Sequence, residues 1–125
     1  MYIKNFDDKK IIPLKVLRMV LDKSAKEFAE KFGVTTAYIS SVENGTRVMR
    51  LQTLAYGLMN LEITIEQYNE FVKFYQSLLL DEFEKQELLK LMFFKAYSVL
   101  ATNEEEKNQI ESLINVVLNN KERKK

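Results

Sequence analysis

The segment SAKEFAEKFGVTTAYISSVENG, Ser24 to Gly45, holds two helices with almost nothing between them. Ser24 and Glu27 have the spacing of a capping box, in which the hydroxyl accepts from the N3 amide and the N3 carboxylate reaches back. Ala25, Phe28, Ala29 and Phe32 then recur at helical spacing and define one apolar face. Gly33 ends that helix in the left-handed conformation that glycine enters freely. Thr35 is placed to cap the next helix, which carries Ile39 and Val42 on its inner side and ends near Asn44-Gly45. A link of about three residues forces the two helices to cross steeply. Few folds accept that constraint.

The rest of the chain also reads as helix. It has one proline and three glycines in 125 residues, and no strand-like alternation. Helix one is expected from about Ile12 to Asp22, with Pro13 in its first turn and Leu14, Leu17, Val20 and Leu21 inward. Helix four is expected from Leu51 to Met59, with Leu51, Leu54, Ala55 and Leu58 inward. A second capping box, Thr64 to Gln67, opens helix five, which runs to about Leu80 with Tyr68, Phe71, Val72, Tyr75 and Leu79 as its apolar positions. Helix six, Glu82 to Leu100, is apolar around much of its circumference and is placed centrally. Asn103 and Glu106 cap helix seven, with Ile110, Leu113, Ile114 and Val117 inward, and Asn119-Asn120 is read as its end. The expected organisation is all-α. Residues 1–63 form a first domain, 64–120 a helical oligomerisation region, and 121–125, KERKK, a mobile basic tail.

The chain has neither cysteine nor histidine, which rules out disulfides, cysteine–histidine zinc sites and histidine catalysis. It also lacks a glycine-rich phosphate loop, so no enzyme, cofactor or metal is expected. Glu104, Glu105 and Glu106 open helix seven, where acids complement the helix dipole, and are not read as a metal site. No apolar run is long enough to span a bilayer, and the N-terminus has no apolar stretch of the signal-peptide kind. A cytoplasmic protein is expected. Net charge is only +1, yet residues 1–50 hold ten Lys/Arg against six Asp/Glu, while residues 51–120 hold five against eleven. An anionic partner would meet the front half. The stretch with Tyr68, Phe71, Phe74, Tyr75, Phe83, Phe93, Phe94 and Tyr97 is read as core and oligomer packing, with a ligand or peptide pocket as the alternative.

With its flanking helices, the pair resembles the Cro/CI-type helix-turn-helix domain, also called XRE-like, found in phage repressors and many bacterial regulators. The resemblance lies in LRMVLDKSAKEFAEKFGVTTAYISSVENGTR and the following LQTLAYGL, roughly Leu14 to Leu61. It implies a compact, lambda-repressor-like five-helix domain that binds DNA through helix three in the major groove. It also implies an ion pair between Arg18 in helix one and Glu43 at the end of helix three. Two positions depart from the family: Ala25 stands where glutamine commonly touches DNA, and Met49 where the loop often has proline.

From Val34 to Val42 there is no charged residue. Major-groove base edges offer donors, acceptors and thymine methyls rather than full charges. A face of Thr35, Thr36, Ala37, Ser40 and Ser41 suits such a surface and is small enough to sit deep. Lys26, Tyr38, Asn44, Thr46 and Arg47 lie around it, where phosphate contacts set register. The reading is a sequence-specific transcriptional regulator, a repressor, acting as a homodimer on a pseudo-palindromic operator. The C-terminal helices supply the dimer contact. The alternative is a protein-interaction or antitoxin-like module whose C-terminal helices bind a partner protein or peptide, with DNA contact secondary.

Overall fold

The computed structural model describes residues 12–81 and 83–123. Among them are seven helices and no strand: α1 Pro13–Val20, α2 Ala25–Phe32, α3 Thr36–Glu43, α4 Leu51–Asn60, α5 Ile65–Leu78, α6 Lys85–Leu100 and α7 Glu104–Arg123. The chain divides into two compact units, one ending at Leu61 and the next starting at Glu62. Among the described residues α1 to α4 lie in the first unit, and α5 packs with α6 in the second.

In the first unit, local chemistry sets the ends of the helices. Ser24 and Glu27 form the expected reciprocal box, with Glu27 N donating to Ser24 Oγ at 3.1 Å and Ser24 N to Glu27 Oε1 at 2.8 Å. These bonds, the one from the Ser24 amide foremost, hold the exposed Glu27 carboxyl below its usual range. Gly33 sits at φ 68°, with its N–H on Glu30 O at 3.3 Å, and Val34 N reaches Ala29 O at 3.0 Å. This is a Schellman ending, and it turns the chain directly into α3. The core is Leu14, Val16, Leu17, Phe28, Ala29, Phe32, Ile39, Val42 and Leu58. α2 is its centre, packed against both α3 and α4. Asn60 ties α4 to the end of α2 by donating from Nδ2 to Lys31 O at 2.7 Å.

Helix four differs from its expected phase. Leu51 is 74% exposed and Ala55 is also exposed, while Gly57 and Leu58 are buried. The glycine decides the phase. A Cβ at Gly57 would lie 2.0 Å from Cδ2 of Phe32, so only a bare backbone lets α4 close on the phenyl ring. Val16, at 1% exposure, replaces the half-buried Val20 and Leu21 in the α1 stripe.

In the second unit, α6 packs against α5 on one side and α7 on the other, which gives it the central position. Thr64 and Gln67 form the second capping box, and Gln67 Nε2 also donates to Val99 O at 2.9 Å, satisfying one of the last carbonyls of α6. Phe71, Tyr75 and Leu78 bury the inner face of α5, whereas Leu79 is exposed. The expected start of helix six at Glu82 lies outside the described residues; α6 begins at Lys85 with Glu84 as its N-cap. Asn103 caps α7 by accepting from Glu106 N at 2.7 Å. α7 does not stop at Asn119-Asn120 but continues to Arg123, because neither asparagine removes a backbone donor as proline would. Leu113, expected inward, is exposed, while Ile114 is buried. Lys124 and Lys125 of the expected tail lie outside the described residues.

One cation is enclosed in this unit. Lys95 on α6 is 8% exposed, with Nζ 2.9 Å from Glu111 Oε2 on α7 and 3.1 Å from Glu70 Oε2 on α5. It also lies 5.3 Å from the Phe74 ring centroid. Ser98 donates to the same Glu111 oxygen. Burial works against both charges, but the hydrogen bonds outweigh it: the Lys95 pKa is raised and that of Glu111 is lowered. A lowered carboxyl stabilises above its unfolded pKa, and the contribution is lost as pH falls through the folded value. A raised lysine stabilises below its unfolded pKa and is lost only as pH rises through its folded value, in strong alkali. The stability of this unit should therefore be level from neutral to mildly alkaline pH and fall below about pH 4. Glu111→Gln should cost about 1–2 kcal/mol at neutral pH, reduced by partial solvent screening, and the loss should shrink on acidification. Urea melts at several pH values check this; parallel curves for the two proteins would remove Glu111 from the acid transition.

Candidate nucleic-acid interface

α3 is held on three sides. Thr35 Oγ1 accepts from Tyr38 N at 3.0 Å and closes the N-terminus. Ile39, fully buried, and Val42, at 6% exposure, anchor it on the core side. At its last residue, Glu43 receives Arg18 Nε at 2.6 Å and Arg18 Nη2 at 3.0 Å, a two-pronged pair between α1 and α3. Arg18 Nη1 donates to Lys23 O at 3.0 Å, so the same guanidinium also fixes the turn before α2. The hydrogen bond to Glu43 raises the Arg18 pKa against the opposing effect of burial. The Arg18 guanidinium therefore stays charged.

These anchors leave Thr36, Ala37 and Ser40 exposed along one side of α3, with Ser41 half-buried beside them. Among the described residues, the Thr36 and Ser40 side chains make no hydrogen bond, so their donors and acceptors remain available. Thr35 is exposed but has its oxygen engaged as the cap.

The loop after α3 folds back on Ser41. Its carbonyl accepts from Thr46 N at 3.0 Å, Thr46 Oγ1 at 3.1 Å and Arg47 N at 3.2 Å. The Thr46 hydroxyl proton is therefore committed within the chain, and its use at a phosphate would require this bond to break. Arg47 lies with Cζ 4.9 Å over the Tyr38 ring, a cation–π contact that aims the guanidinium while leaving it exposed. Tyr38, Arg47, Val48, Arg50 and Thr53 line a cavity of about 430 Å³ beside the start of α4. No side chain caps that helix, so the first amides of α4 open beside two arginines. Lys26, on the first turn of α2, and Asn44, at the C-cap of α3, are exposed but do not line this cavity.

Arg50 and Thr53 were not singled out in the sequence. The signal was there: two arginines three residues apart, just before an uncapped apolar helix. Its meaning needed Tyr38 to be seen across the loop. Among the described residues, no group of three or more His, Cys, Asp or Glu is placed to hold a metal ion, and no helix is long and apolar enough to cross a membrane. Residues 14–55 match a family model described as helix-turn-helix. No curated protein and no solved structure matches the chain.

Proposed function

We propose, from the premise that residues 14–55 belong to the XRE/lambda-repressor-like helix-turn-helix family of DNA-binding regulators, that this chain reads a specific DNA sequence with α3 in the major groove. The observation that carries the reading is the exposed, uncharged face of Thr36, Ala37 and Ser40 on a helix whose other sides are fixed. Thr36, Ala37, Ser40 and Ser41 meet base edges, through hydroxyls and methyl groups. Arg47, Arg50 and Lys26 meet phosphates, as do Tyr38, Asn44 and the open first turn of α4, which favours an anion. Few long bidentate readers are present, so DNA shape contributes to the choice of site. One module covers a half-site. Two copies on a pseudo-palindrome, with their recognition helices about 34–36 Å apart, give the length a unique site needs. Such a pair acts most simply as a repressor, by covering a promoter, in the cytoplasm or nucleoid.

Selection of bound fragments from random DNA, followed by titration at several salt concentrations, tests the proposal. Arg47→Ala should weaken every sequence alike and flatten the salt dependence by about one unit of slope. Ser41→Ala and Thr36→Ala should instead change which sequence is preferred. Recovery of no common sequence would defeat the proposal, and unchanged preference in both variants would defeat the register given to α3.

A further inference from the structure

We propose that Tyr38 is a positioning residue: it holds Arg47 and Arg50 at a set spacing around one backbone phosphate and ties that seat to the exposed face of α3. The inference rests on the DNA-binding reading given above and names a residue that acts there through two others. Tyr38 belongs to α3 but not to its outward face. At about 100° per residue it falls beyond Ser41, on the flank between that face and buried Val42. The side chain is half-buried and makes two separate contacts. Its ring carries the Arg47 guanidinium, with Cζ 4.9 Å from the centroid. Its Oη accepts from the backbone N–H of Arg50 at 3.4 Å, which leaves its own O–H able to donate. All three residues line the same cavity.

Arg47 is anchored to α3 twice. Its amide reaches Ser41 O at 3.2 Å, and its guanidinium rests on Tyr38, one turn earlier on the same flank. An exposed arginine normally samples many rotamers, and ordering it opposes binding. A cation already held over a ring has less freedom to lose and keeps its N–H donors for an anion. Among the described residues, neither Arg47 nor Arg50 pairs with an acid, so both charges are left for such a partner. Plain apolar packing would account for a half-buried ring. It does not account for an oxygen on the Arg50 amide and a ring face under Arg47 at the same time. Because Tyr38 and Ser41 are the supports, the distance from the phosphate seat to Thr36, Ala37 and Ser40 is set within α3 itself.

Titration of the isotope-labelled full chain with inorganic phosphate, followed by NMR at the arginine side-chain Nε–H signals, tests the seat without DNA. Arg47 and Arg50 should shift saturably in the parent and in Tyr38→Phe, which keeps the ring. In Tyr38→Leu the phosphate affinity should fall about fivefold. Salt titration of DNA binding is the second readout. Tyr38→Leu should weaken all sequences alike, flatten the salt dependence by about one unit of slope, and leave the preferred sequence unchanged. Added to Arg47→Ala it should do little more, since the ring acts through that arginine. A merely structural tyrosine would lower the melting temperature without moving the salt slope. No saturable phosphate shift in the parent, a parent-like slope in Tyr38→Leu, a Tyr38→Phe as weak as Tyr38→Leu, or losses additive with Arg47→Ala would overturn the proposal. The two proposals fail separately. A parent that selects no DNA while its phosphate shifts still depend on Tyr38 defeats only the DNA-binding reading. A parent that selects a sequence, with Tyr38→Leu unchanged in both readouts, defeats only the positioning role.

Discussion

Arg18→Ala should lower the unfolding free energy of the first unit by about 3–5 kcal/mol, the usual cost of stranding one member of a buried ion pair. The Arg18 and Glu43 side chains are only 18% and 7% exposed, so water replaces the lost partner only in part. The substitution also removes a donor from Lys23 O, in the turn that leads into α2. For a unit of about this size, the melting temperature should fall by on the order of 10–20 °C. The chain has no tryptophan, so circular dichroism and amide exchange in α1 are the suitable readouts. The decisive comparison is the double-mutant cycle. Arg18→Ala and Glu43→Ala should each be costly, and the double variant should cost clearly less than their sum. Additive losses would mean that the two groups are neighbours without being coupled.

The second large effect is expected at Gly57. Glycine in an exposed helix interior is normally improved by alanine, by about 1 kcal/mol. Here the sign should reverse. The added methyl would meet three atoms of the Phe32 ring at 2.0–2.3 Å, well inside contact distance, and Phe32 is itself packed against Phe28 with ring centroids 4.7 Å apart. Either α4 moves away or two rings must shift, at a gross cost of about 1–3 kcal/mol. Gly57→Leu should prevent the unit from folding. Phe32→Leu should ease the loss caused by Gly57→Ala, because a smaller side chain leaves room for the methyl. Equilibrium urea unfolding measures both, and a Gly57→Ala protein more stable than the parent would show that α2 and α4 are not in close contact at this point.

What could be read from the sequence is what depends on neighbours in the chain. Ser24 with Glu27, Thr35, Thr64 with Gln67, Asn103 and Gly33 all mark helix ends through bonds spanning a few residues, and spacing alone exposes them. The buried sides of α2 and α3 were legible for the same reason. Phase was harder. Leu51, Ala55 and Leu79 fit an apolar stripe by interval, but an interval does not say where a stripe ends or which flank a partner helix covers. Nothing near Gly57 in the chain marks it as a contact. Lys95 likewise carries no local sign of burial. It is enclosed because its partners, Glu70 and Glu111, lie on two other helices. In the candidate site, the uncharged face of α3 was visible as a gap in charge. The cavity beside it was not, since it is formed only when Tyr38 meets Arg47 and Arg50 across the loop.

The exposed face of α3 bears on how proteins of this design can change. Thr36, Ala37 and Ser40 support nothing else in the unit: core contacts come from Ile39 and Val42, the cap from Thr35, and the brace from Glu43. Substitutions at those three positions should therefore be nearly neutral for folding, within about 0.5 kcal/mol for polar or small replacements at a solvent-facing site. With α3 reading DNA as proposed, target choice and structural integrity are written in different residues of the same eight-residue helix. On that proposal a lineage carrying this scaffold can drift from one binding site to another without passing through poorly folded intermediates.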